Sequence, residues 1–340
     1  MKKLLSALLC SSILMLAGCG GSAADSVGAS TAAGSTPATS GVAASGELIK
    51  IGVIQLAPHP ALDAAYDGFV DSLAEAGYVD GDNIVIDLQN AQGEIANCPT
   101  IASKLVNDGN DLILAIATPA AQAVANETKD IPIVATAVTD FVEAKLVNSN
   151  EEPGTNVTGT SDLTPVREQL ELLTQLAPEA KNIGFLYCSS EANSIVQIDI
   201  AKEAAEELGL SYEEFTISNT NELQSVATSM VGKVDAIYTP TDNMIANAVS
   251  TVATIARDNQ LPFVVGEEAL VAGGGLASVS VNYYDLGRMT GAQAVQIIEG
   301  TSAPASMPIQ FQSSEDVETV INGETAEALG IEVPQGVTVL

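Results

Sequence analysis

Short runs of aliphatic and β-branched residues alternate with amphipathic helical segments along most of this sequence, and this alternation restricts the possible folds more than any other feature. The run LIKIGVI at 48–54 is followed by a helical pattern at 62–77 and a second strand pattern at 83–91. The runs DLILAIA and IPIVATA, at 111–117 and 131–137, are almost continuously apolar. Strands of this kind are buried on both faces, so the sequence predicts an α/β fold with parallel sheets covered by helices.

The same order of elements begins again at Thr164, which predicts a second unit of the same architecture. A helical pattern at 164–178 is followed by a strand pattern at 182–187, and the alternation continues to LPFVVG at 261–266. A folded part of about 290 residues is larger than one hydrophobic core usually supports. We therefore expect two doubly wound lobes of comparable size.

The first 46 residues predict an exported protein that is held at a membrane by lipid. Residues 1–18 combine two lysines, a short apolar run and small residues, which is typical of a signal peptide and too short for a membrane span. The tetrad ending at Cys19 resembles a bacterial lipobox, which implies cleavage before Cys19 and lipidation of its thiol; an ordinary signal peptide cut nearby is the alternative. Residues 19–46 then form a flexible tether, which favours display outside a single membrane over a periplasmic setting.

The acidic composition excludes several classes of partner. The chain has 43 acidic and 12 basic residues and a formal charge of −31, which argues against nucleic acid or an anionic membrane surface as a partner. Two cysteines follow the leader, Cys98 and Cys188, and they lie in different predicted lobes. We expect two free thiols, with a disulfide between them as the alternative.

Motifs of common catalytic sites are missing from the sequence. It contains no G-x-S-x-G, P-loop, G-x-G-x-x-G or H-E-x-x-H pattern, and a single histidine with two distant cysteines supplies too few ligands for a transition metal. We predict no catalytic residue, no metal site and no cofactor. A secreted hydrolase with an acidic pair stays open as an alternative, although the chain has no tryptophan to stack on a sugar.

Candidate binding residues follow the carboxyl ends of the predicted strands, because ligands of open parallel sheets bind beyond those ends. Thr118 and Pro119 predict a helix start with Thr118 as the N-cap, whose free amides suit a carboxylate or phosphate; a simple cap without a ligand is the alternative. The strand-end segments contain no lysine or arginine, which argues against a phosphate. These segments are 55–63, 118–122, 138–140, 188–194, 240–243 and 266–268.

Acidic side chains at other strand ends predict a site for a cation. They are Asp140, Glu191, Asp242 and Glu267. A donor-rich helix start that faces carboxylates suits a zwitterion, with its carboxylate on one side and its ammonium group on the other. Asp140, Glu191 and Asp242, each taken singly, are also explained as helix caps.

His59, the single histidine, lies between Pro58 and Pro60 after the first strand. No other residue completes a histidine-based catalytic set or metal site, so the base and ligand interpretations are discarded. We expect His59 to face the cleft between the lobes as a wall or hydrogen-bonding group, with a solvent-facing turn residue as the alternative.

Several of these loops resemble a known family. The segments HPALDAAYDGF, ATPAAQA, NVTGTSD, SSEANSIVQ, PTDN and NYYDLGRMTG are similar, in this order, to the ABC-transporter substrate-binding proteins associated with tryptophan, tyrosine or phenylalanine uptake. The resemblance runs from about residue 49 to residue 334. It implies a type I periplasmic-binding fold, in which two doubly wound parallel-sheet lobes are joined by several crossovers around a ligand cleft.

The resemblance also implies lobe boundaries and ligand contacts. The first lobe comprises 47–162 and about 281–305, and the second comprises 163–280 and about 306–340. The implied ligand-binding residues are Gln55, His59, Asp63, Thr118, Ala120, Ala121, Thr139 and Asp140 in the first lobe, and Glu191, Asn193, Ser194, Asp242 and Asn243 in the second, with Glu267 near the crossover.

The resulting hypothesis is an extracytoplasmic, lipid-anchored binding protein that captures a small zwitterion, most simply an aromatic amino acid. Its partners are then this ligand and the permease and ATPase of an ABC importer, and the protein is expected to be monomeric, to contact the membrane only through its lipid and to bind no nucleic acid. The alternatives are the same fold holding a nucleoside or sugar, a ligand sensor, and the hydrolase described above.

Overall fold

The computed structural model describes residues 48–340. The predicted signal peptide at 1–18, the lipidation at Cys19 and the tether at 19–46 lie outside the described residues. Among the helices of 48–340, none has the length and apolar character needed to cross a membrane.

The described residues alternate between strands and helices, as the sequence predicts. The strands are β1 (Ile49–Gln55), β2 (Ile84–Asn90), β3 (Leu112–Ile116), β4 (Ile133–Val138), β5 (Val157–Ser161), β6 (Asn182–Cys188), β7 (Ser211–Ile217), β8 (Ala236–Thr239), β9 (Phe263–Val265), β10 (Ala277–Ser280), β11 (Gln310–Phe311), β12 (Glu318–Ile321) and β13 (Thr338–Val339). The helices are α1 (Pro60–Glu75), α2 (Cys98–Asn107), α3 (Thr118–Glu127), α4 (Val166–Leu176), α5 (Ala192–Glu207), α6 (Leu223–Met230), α7 (Asn243–Ala246), α8 (Val249–Asp258), α9 (Glu268–Ala272), α10 (Tyr283–Ile298) and α11 (Gly323–Leu329).

Two sheets define two lobes. The first sheet has six parallel strands in the order β11–β5–β4–β3–β1–β2. The second has seven strands in the order β13–β12–β10–β9–β8–β6–β7, of which only the β10–β12 pair is antiparallel. The apolar central strands are buried on both faces, with Ile51, Ile113 and Phe185 at 0 % exposure. The predicted α/β class with two parallel-sheet lobes is confirmed.

Strand β5 is an element that the sequence analysis does not predict. Its residues, VTGTS, are polar and small, so no apolar run indicates a buried strand here. All five residues are nevertheless buried, because distant groups satisfy their hydroxyls. Thr158 donates to the carbonyl of Met307 at 2.8 Å, and Thr160 shares a 2.7 Å hydrogen bond with Thr290 of α10.

Helix α10 follows a strand of the second sheet but packs on the first lobe against α1. Close approach of the two helices requires glycine at their contact. A Cβ atom added to Gly287 would lie 2.0 Å from the carbonyl oxygen of Ala65, and one added to Gly68 would lie 2.0 Å from that of Tyr284. The chain is thereby fixed back onto the lobe in which it began.

Three crossovers connect the lobes, between β5 and α4, between β10 and α10, and between β11 and β12. The sequence analysis has the chain cross back to the second lobe at about residue 306, which is too early. Gln310 and Phe311 still pair with Thr160 and Ser161 of the first sheet, so the return occurs between Phe311 and Glu318. A two-residue strand carries too little pattern to be placed from sequence.

Candidate functional site

The carboxyl ends of both sheets border a cavity between the lobes. Six of the predicted residues line it: His59, Thr139, Asn193, Asp242, Asn243 and Glu267. Its apolar wall also comes from both lobes and includes Leu62 of α1, Ala246 of α7 and Leu270 of α9. Residues that follow the carboxyl ends of parallel strands therefore lie around one cavity, as the sequence analysis predicts.

Asp242 is held rigidly at the cavity by the backbone around it. Its Oδ2 atom accepts hydrogen bonds from the amide of Cys188 at 2.6 Å and from the hydroxyl of Ser194 at 2.7 Å. Its Oδ1 atom accepts from the amide of Ile245 at 2.9 Å and so caps α7. Ser194 thus supports Asp242 and is not part of the cavity lining. Asp242 is 1 % exposed, and burial raises the pKa of its carboxyl group.

Glu191 lies behind the cavity wall, fully buried. It occupies the N-cap position of α5 without capping that helix. Instead its carboxylate accepts hydrogen bonds from the side chains of Asn243 and Asn193, at 2.6 and 3.0 Å, and from the amide of Met244 at 3.1 Å. Burial, reinforced by the neighbouring Asp242, raises its pKa. Glu191 therefore holds in position the side-chain amides of Asn193 and Asn243, which line the cavity.

Glu267 and His59 face each other from opposite lobes. Glu267 caps α9 by accepting from the amides of Ala269 and Leu270 at 2.6 and 3.1 Å. Burial raises its pKa to about 8, while burial lowers the pKa of His59. Both groups are therefore uncharged near pH 7. The 3.7 Å distance between His59 Nε2 and Glu267 Oε1 is a contact between lobes and not an ion pair at that pH.

Asp162 and Tyr283 also line the cavity, and sequence reasoning missed both. Tyr283 donates its hydroxyl to Asp162 Oδ2 at 2.8 Å, and Thr139 donates to Oδ1 at 3.1 Å. Asp162 is 4 % exposed, and burial raises its pKa. Both residues follow strands, β5 and β10, so the strand-end rule would have found Asp162 if β5 had been recognised. Thr241 is a third polar lining residue outside the prediction.

Helix α3 begins differently from the prediction. Its N-cap is Ala117, with φ of +84°, and Thr118 is the first helical residue rather than the cap. Thr118 is 3 % exposed, and its hydroxyl is buried without a hydrogen-bond partner. The first-turn amides of a helix also lack intrahelical acceptors. Ala120 and Ala121 are fully buried in this turn. Pro119 has no amide hydrogen, and the amide of Ala121 already donates to the carbonyl of Ala117 at 3.0 Å, so the donors left for another acceptor are the Thr118 hydroxyl and the amides of Thr118 and Ala120. Thr118, Ala120 and Ala121 are not among the residues that line the cavity.

Three predicted residues serve local structure instead of the cavity lining. Gln55 is buried, and its side chain donates to the exposed Asp63 at 2.6 Å. Asp140 is partly exposed and caps a turn by accepting from the amides of Val142 and Glu143 at 2.9 and 3.0 Å. The contacts of Asp140 are therefore those of a cap, which is the alternative to ligand binding that the sequence analysis gives for this residue.

The two cysteines of the described region, Cys98 and Cys188, are buried free thiols. Burial raises the pKa of both thiols, that of Cys98 to about 11. Neither is therefore in the thiolate form at neutral pH.

The cavity concentrates buried carboxyl groups around a space that contains no opposite charge. Asp162, Asp242 and Glu267 line it, and none of the lining residues from the described part of the chain is lysine or arginine. Within residues 48–340, no cluster of histidine, cysteine and acidic side chains is arranged to hold a metal ion. The geometry fits an organic cation that also donates hydrogen bonds.

Two parallel-sheet lobes joined by three crossovers, with a polar cavity between them, define a binding protein of the type I periplasmic class. Residues 50–340 match the family described as ABC transporter substrate binding protein, and the chain belongs to that family. It is accordingly a substrate-binding protein and not an enzyme, and its partners are a small-molecule ligand and the permease of an ABC transporter. The hydrolase alternative is discarded.

Relatives of known name or structure cover most of the chain. It is 44 % identical over 282 residues to the tyrosine-binding protein of Clostridioides difficile, covering 83 % of this chain and 81 % of that protein. A domain from Streptococcus pneumoniae solved in complex with L-Trp is 43 % identical, with a TM-score of 0.83 over 86 % of this chain and all of that one. A substrate-binding protein with adhesive properties from Clostridium difficile, solved in a ligand-free, open form, is 45 % identical over 86 % of this chain and 99 % of that one, with a TM-score of 0.67.

The TM-scores differ between the relative solved with L-Trp and the relative solved in an open, ligand-free form. Sequence identity to the two solved relatives is nearly equal, so sequence divergence does not account for the difference. The present structure is more similar to the relative with bound L-Trp than to the open, ligand-free one. The contact between His59 and Glu267 across the cavity is consistent with closed lobes.

Proposed function

We propose that this chain is the extracytoplasmic, lipid-anchored receptor of an ABC importer and that it binds an aromatic amino acid in the cavity between its lobes. The observation that carries the proposal is the set of buried carboxyl groups that line the cavity, without a lysine or arginine among the lining residues. The unpartnered hydroxyl of Thr118 at the start of α3 is the donor that we assign to the ligand's carboxylate. A zwitterion satisfies both groups at once.

The ammonium group of the ligand binds at the carboxylates. Asp242 is the strongest candidate because three hydrogen bonds fix its orientation before the ligand arrives, and Asp162 lies on the same cavity. An entering ammonium group favours the ionised forms of these acids and so offsets the cost of burying them. The resulting contacts are charge-assisted hydrogen bonds, which are stronger than neutral ones.

The carboxylate of the ligand binds at α3. The hydroxyl of Thr118 and the amides of Thr118 and Ala120 can donate to it, and the positive end of the helix dipole favours its charge. Ala120 and Ala121 add no side chain that would cover these amides. The nucleoside and sugar alternatives leave this set of donors without an anion.

The side chain of the ligand meets the apolar wall formed by Leu62, Ala246 and Leu270. The names of two relatives, a tyrosine-binding protein and a domain solved with L-Trp, support an aromatic side chain. The choice among tryptophan, tyrosine and phenylalanine depends on contacts within this wall and on which polar groups face the ring.

The amino-terminal segment supports a location on the outer face of a cell membrane. A lipid on Cys19, followed by the tether at 19–46, would leave the binding lobes free to reach the permease while confining them to the surface. This position serves uptake, because closure around the ligand precedes its delivery to the transporter. A sensor would share the fold but would act on a signalling receptor instead of a permease.

Calorimetric titration with matched ligands tests the proposal. L-Trp, L-Tyr and L-Phe carry both charges, tryptamine lacks the carboxylate, and indole-3-propionate lacks the ammonium group. We expect at least one of the three amino acids to bind at least tenfold more tightly than either analogue. Binding of both analogues as tightly as the amino acids would refute the two charged subsites. Stabilisation only by nucleosides or sugars in a thermal-shift screen would refute the choice of ligand.

A further inference from the structure

Two side-chain links connect the three crossovers to one another. Tyr283, at the start of α10 in the second crossover, donates its hydroxyl to Asp162 in the first crossover at 2.8 Å. Asn282 and Gln312 join the second and third crossovers by a reciprocal pair of hydrogen bonds at 2.8 and 2.9 Å. The three segments between the lobes are therefore joined in sequence order.

The two links differ in what they can contact. Asp162 and Tyr283 are buried, with exposures of 4 and 7 %, and both line the cavity. Asn282 is exposed, and neither it nor Gln312 lines the cavity. A ligand between the lobes therefore meets the first link directly and cannot meet the second.

Asp162 retains capacity for a ligand despite its existing partners. Each of its carboxylate oxygens accepts one hydrogen bond from this chain, one from Thr139 and one from Tyr283, and each has a second lone pair. Thr139 belongs to the first lobe at the end of β4, so the three residues join a strand end, the first crossover and the second crossover around one carboxylate.

We propose that Asp162 and Tyr283 couple ligand binding to lobe closure: Asp162 accepts the ligand's ammonium group, and Tyr283 is a positioning residue that orients this carboxylate and ties it to the second crossover. The inference rests on the proposed function, since it takes the ligand to carry an ammonium group. A ligand held by Asp162 then favours the crossover arrangement in which the Tyr283 hydroxyl reaches Asp162.

The raised pKa values of both residues are consistent with this role. Burial is the main cause for each, and the carboxylate of Asp162 raises the pKa of Tyr283 further. A buried carboxylate whose ionised form is disfavoured has most to gain from a ligand cation. The phenol stays protonated and so keeps the hydrogen that it donates.

A pair of adjacent tyrosines provides the test and its control. Tyr283→Phe removes the hydroxyl and keeps the ring. Tyr284→Phe is the matched control, because the Tyr284 hydroxyl also donates to an aspartate at 2.8 Å, but that residue, Asp71, lies on the exposed face of α1. Affinity for L-Trp is measured by calorimetry, and closure is measured as the ligand-induced change in the distance between spin labels on the two lobes.

We expect Tyr283→Phe to weaken L-Trp binding about tenfold or more, the range for loss of a hydrogen bond to a charged group, and to reduce the fraction of closed lobes at saturating ligand. Tyr284→Phe should leave affinity and closure unchanged. Wild-type affinity and full closure in Tyr283→Phe would overturn the coupling, even if the proposed ligand is right. If wild-type protein binds none of the three aromatic amino acids, the proposed function fails and this inference fails with it.

A second variant identifies the contact made by Asp162. Asp162→Asn keeps the size of the side chain and removes its charge. It should weaken L-Trp binding at least tenfold but change the binding of indole-3-propionate by less than twofold, because that analogue has no ammonium group. Equal losses for both ligands would show a structural defect instead of a lost ion contact, and would overturn the assignment of Asp162.

Discussion

Replacing Asp242 by asparagine is the most direct test of the site. The carboxylate accepts three hydrogen bonds from this chain, two on Oδ2 and one on Oδ1. The amide that replaces it has only one acceptor oxygen, so its NH₂ group must face either the amide of Cys188 or that of Ile245. At least one backbone donor therefore loses its partner, and the negative charge at the cavity is removed.

The expected effect on ligand affinity is larger than the effect on stability. A hydrogen bond to a charged group contributes about 1.5–3 kcal/mol, which corresponds to a loss of about 10- to 150-fold in affinity for a ligand with an ammonium group. Where the NH₂ group faces Ile245, loss of the α7 cap costs about 1 kcal/mol of folding stability. This cost is partly offset because the variant no longer buries a second carboxylate beside Glu191.

Calorimetry with L-Trp measures the first effect, and thermal unfolding without ligand measures the second. Asp140→Asn is the matched control, since Asp140 also accepts two backbone amides but lies outside the cavity. We expect the control to bind like the wild type. An Asp242→Asn variant that folds normally and binds L-Trp within twofold of the wild type would refute the assignment of Asp242 to the ligand's ammonium group.

Four further predictions follow from the geometry. Burial raises the pKa of Glu267 to about 8, so between about pH 4.3 and pH 8 the folded protein holds a proton that the unfolded chain releases. The melting temperature of the ligand-free protein should therefore fall as the pH rises from about 5 to 8. The variant Glu267→Gln should reduce this pH dependence. Thr118→Val, which removes the unpartnered hydroxyl, should weaken L-Trp binding several-fold in calorimetry and leave tryptamine binding unchanged. Gly287→Ala places a methyl group against the backbone of Ala65, so chemical denaturation should show a loss of about 1–3 kcal/mol. Cys19→Ala should move the protein from the membrane fraction to the soluble fraction of fractionated cells.

Each of these predictions has a contrary outcome. An unchanged pH dependence in the glutamine variant at position 267, with Glu268→Gln as the exposed control, would show that Glu267 is not protonated in the folded state. Equal losses of L-Trp and tryptamine in the valine variant at position 118 would place Thr118 away from the ligand carboxylate. Wild-type stability of the alanine variant at position 287 would mean that α1 and α10 separate easily. Membrane retention without Cys19 would exclude the lipid as the anchor.

The sequence predicts the fold well where burial is achieved by apolar residues alone. The strands DLILAIA and IPIVATA have no polar pattern to suggest an exposed face, and they become the buried β3 and β4. Strand β5 is not predicted in this way, because its burial depends on hydroxyl groups whose partners lie 22 to 149 residues away in sequence. Partners so distant in sequence leave no pattern in the local sequence from which the strand could be predicted. Asp162, which follows β5, was missed for the same reason.

The binding residues divide in a similar way. Strand ends locate His59, Asp242 and Glu267 at the cavity because parallel strands place their carboxyl ends along one edge. The same rule cannot separate a side chain that faces the cavity from one that lies beneath it. Glu191 was predicted as a contact, but its carboxylate accepts from Asn193 and Asn243 behind the lining. That difference depends on side-chain direction, which the pattern of residue types does not contain.

A carboxyl group that caps a helix can also line the cavity, so the two interpretations of a strand-end acid do not exclude each other. Asp242 caps α7 and Glu267 caps α9, and both also line the cavity. A carboxyl group bound by backbone amides cannot rotate away, so a ligand cation would meet oxygen atoms whose positions are already fixed. The raised pKa of Glu267, despite two capping amides, shows that burial outweighs the caps in the ligand-free cavity. The caps fix the positions of the carboxyl groups, and we expect the ligand to supply the positive charge that ionises them.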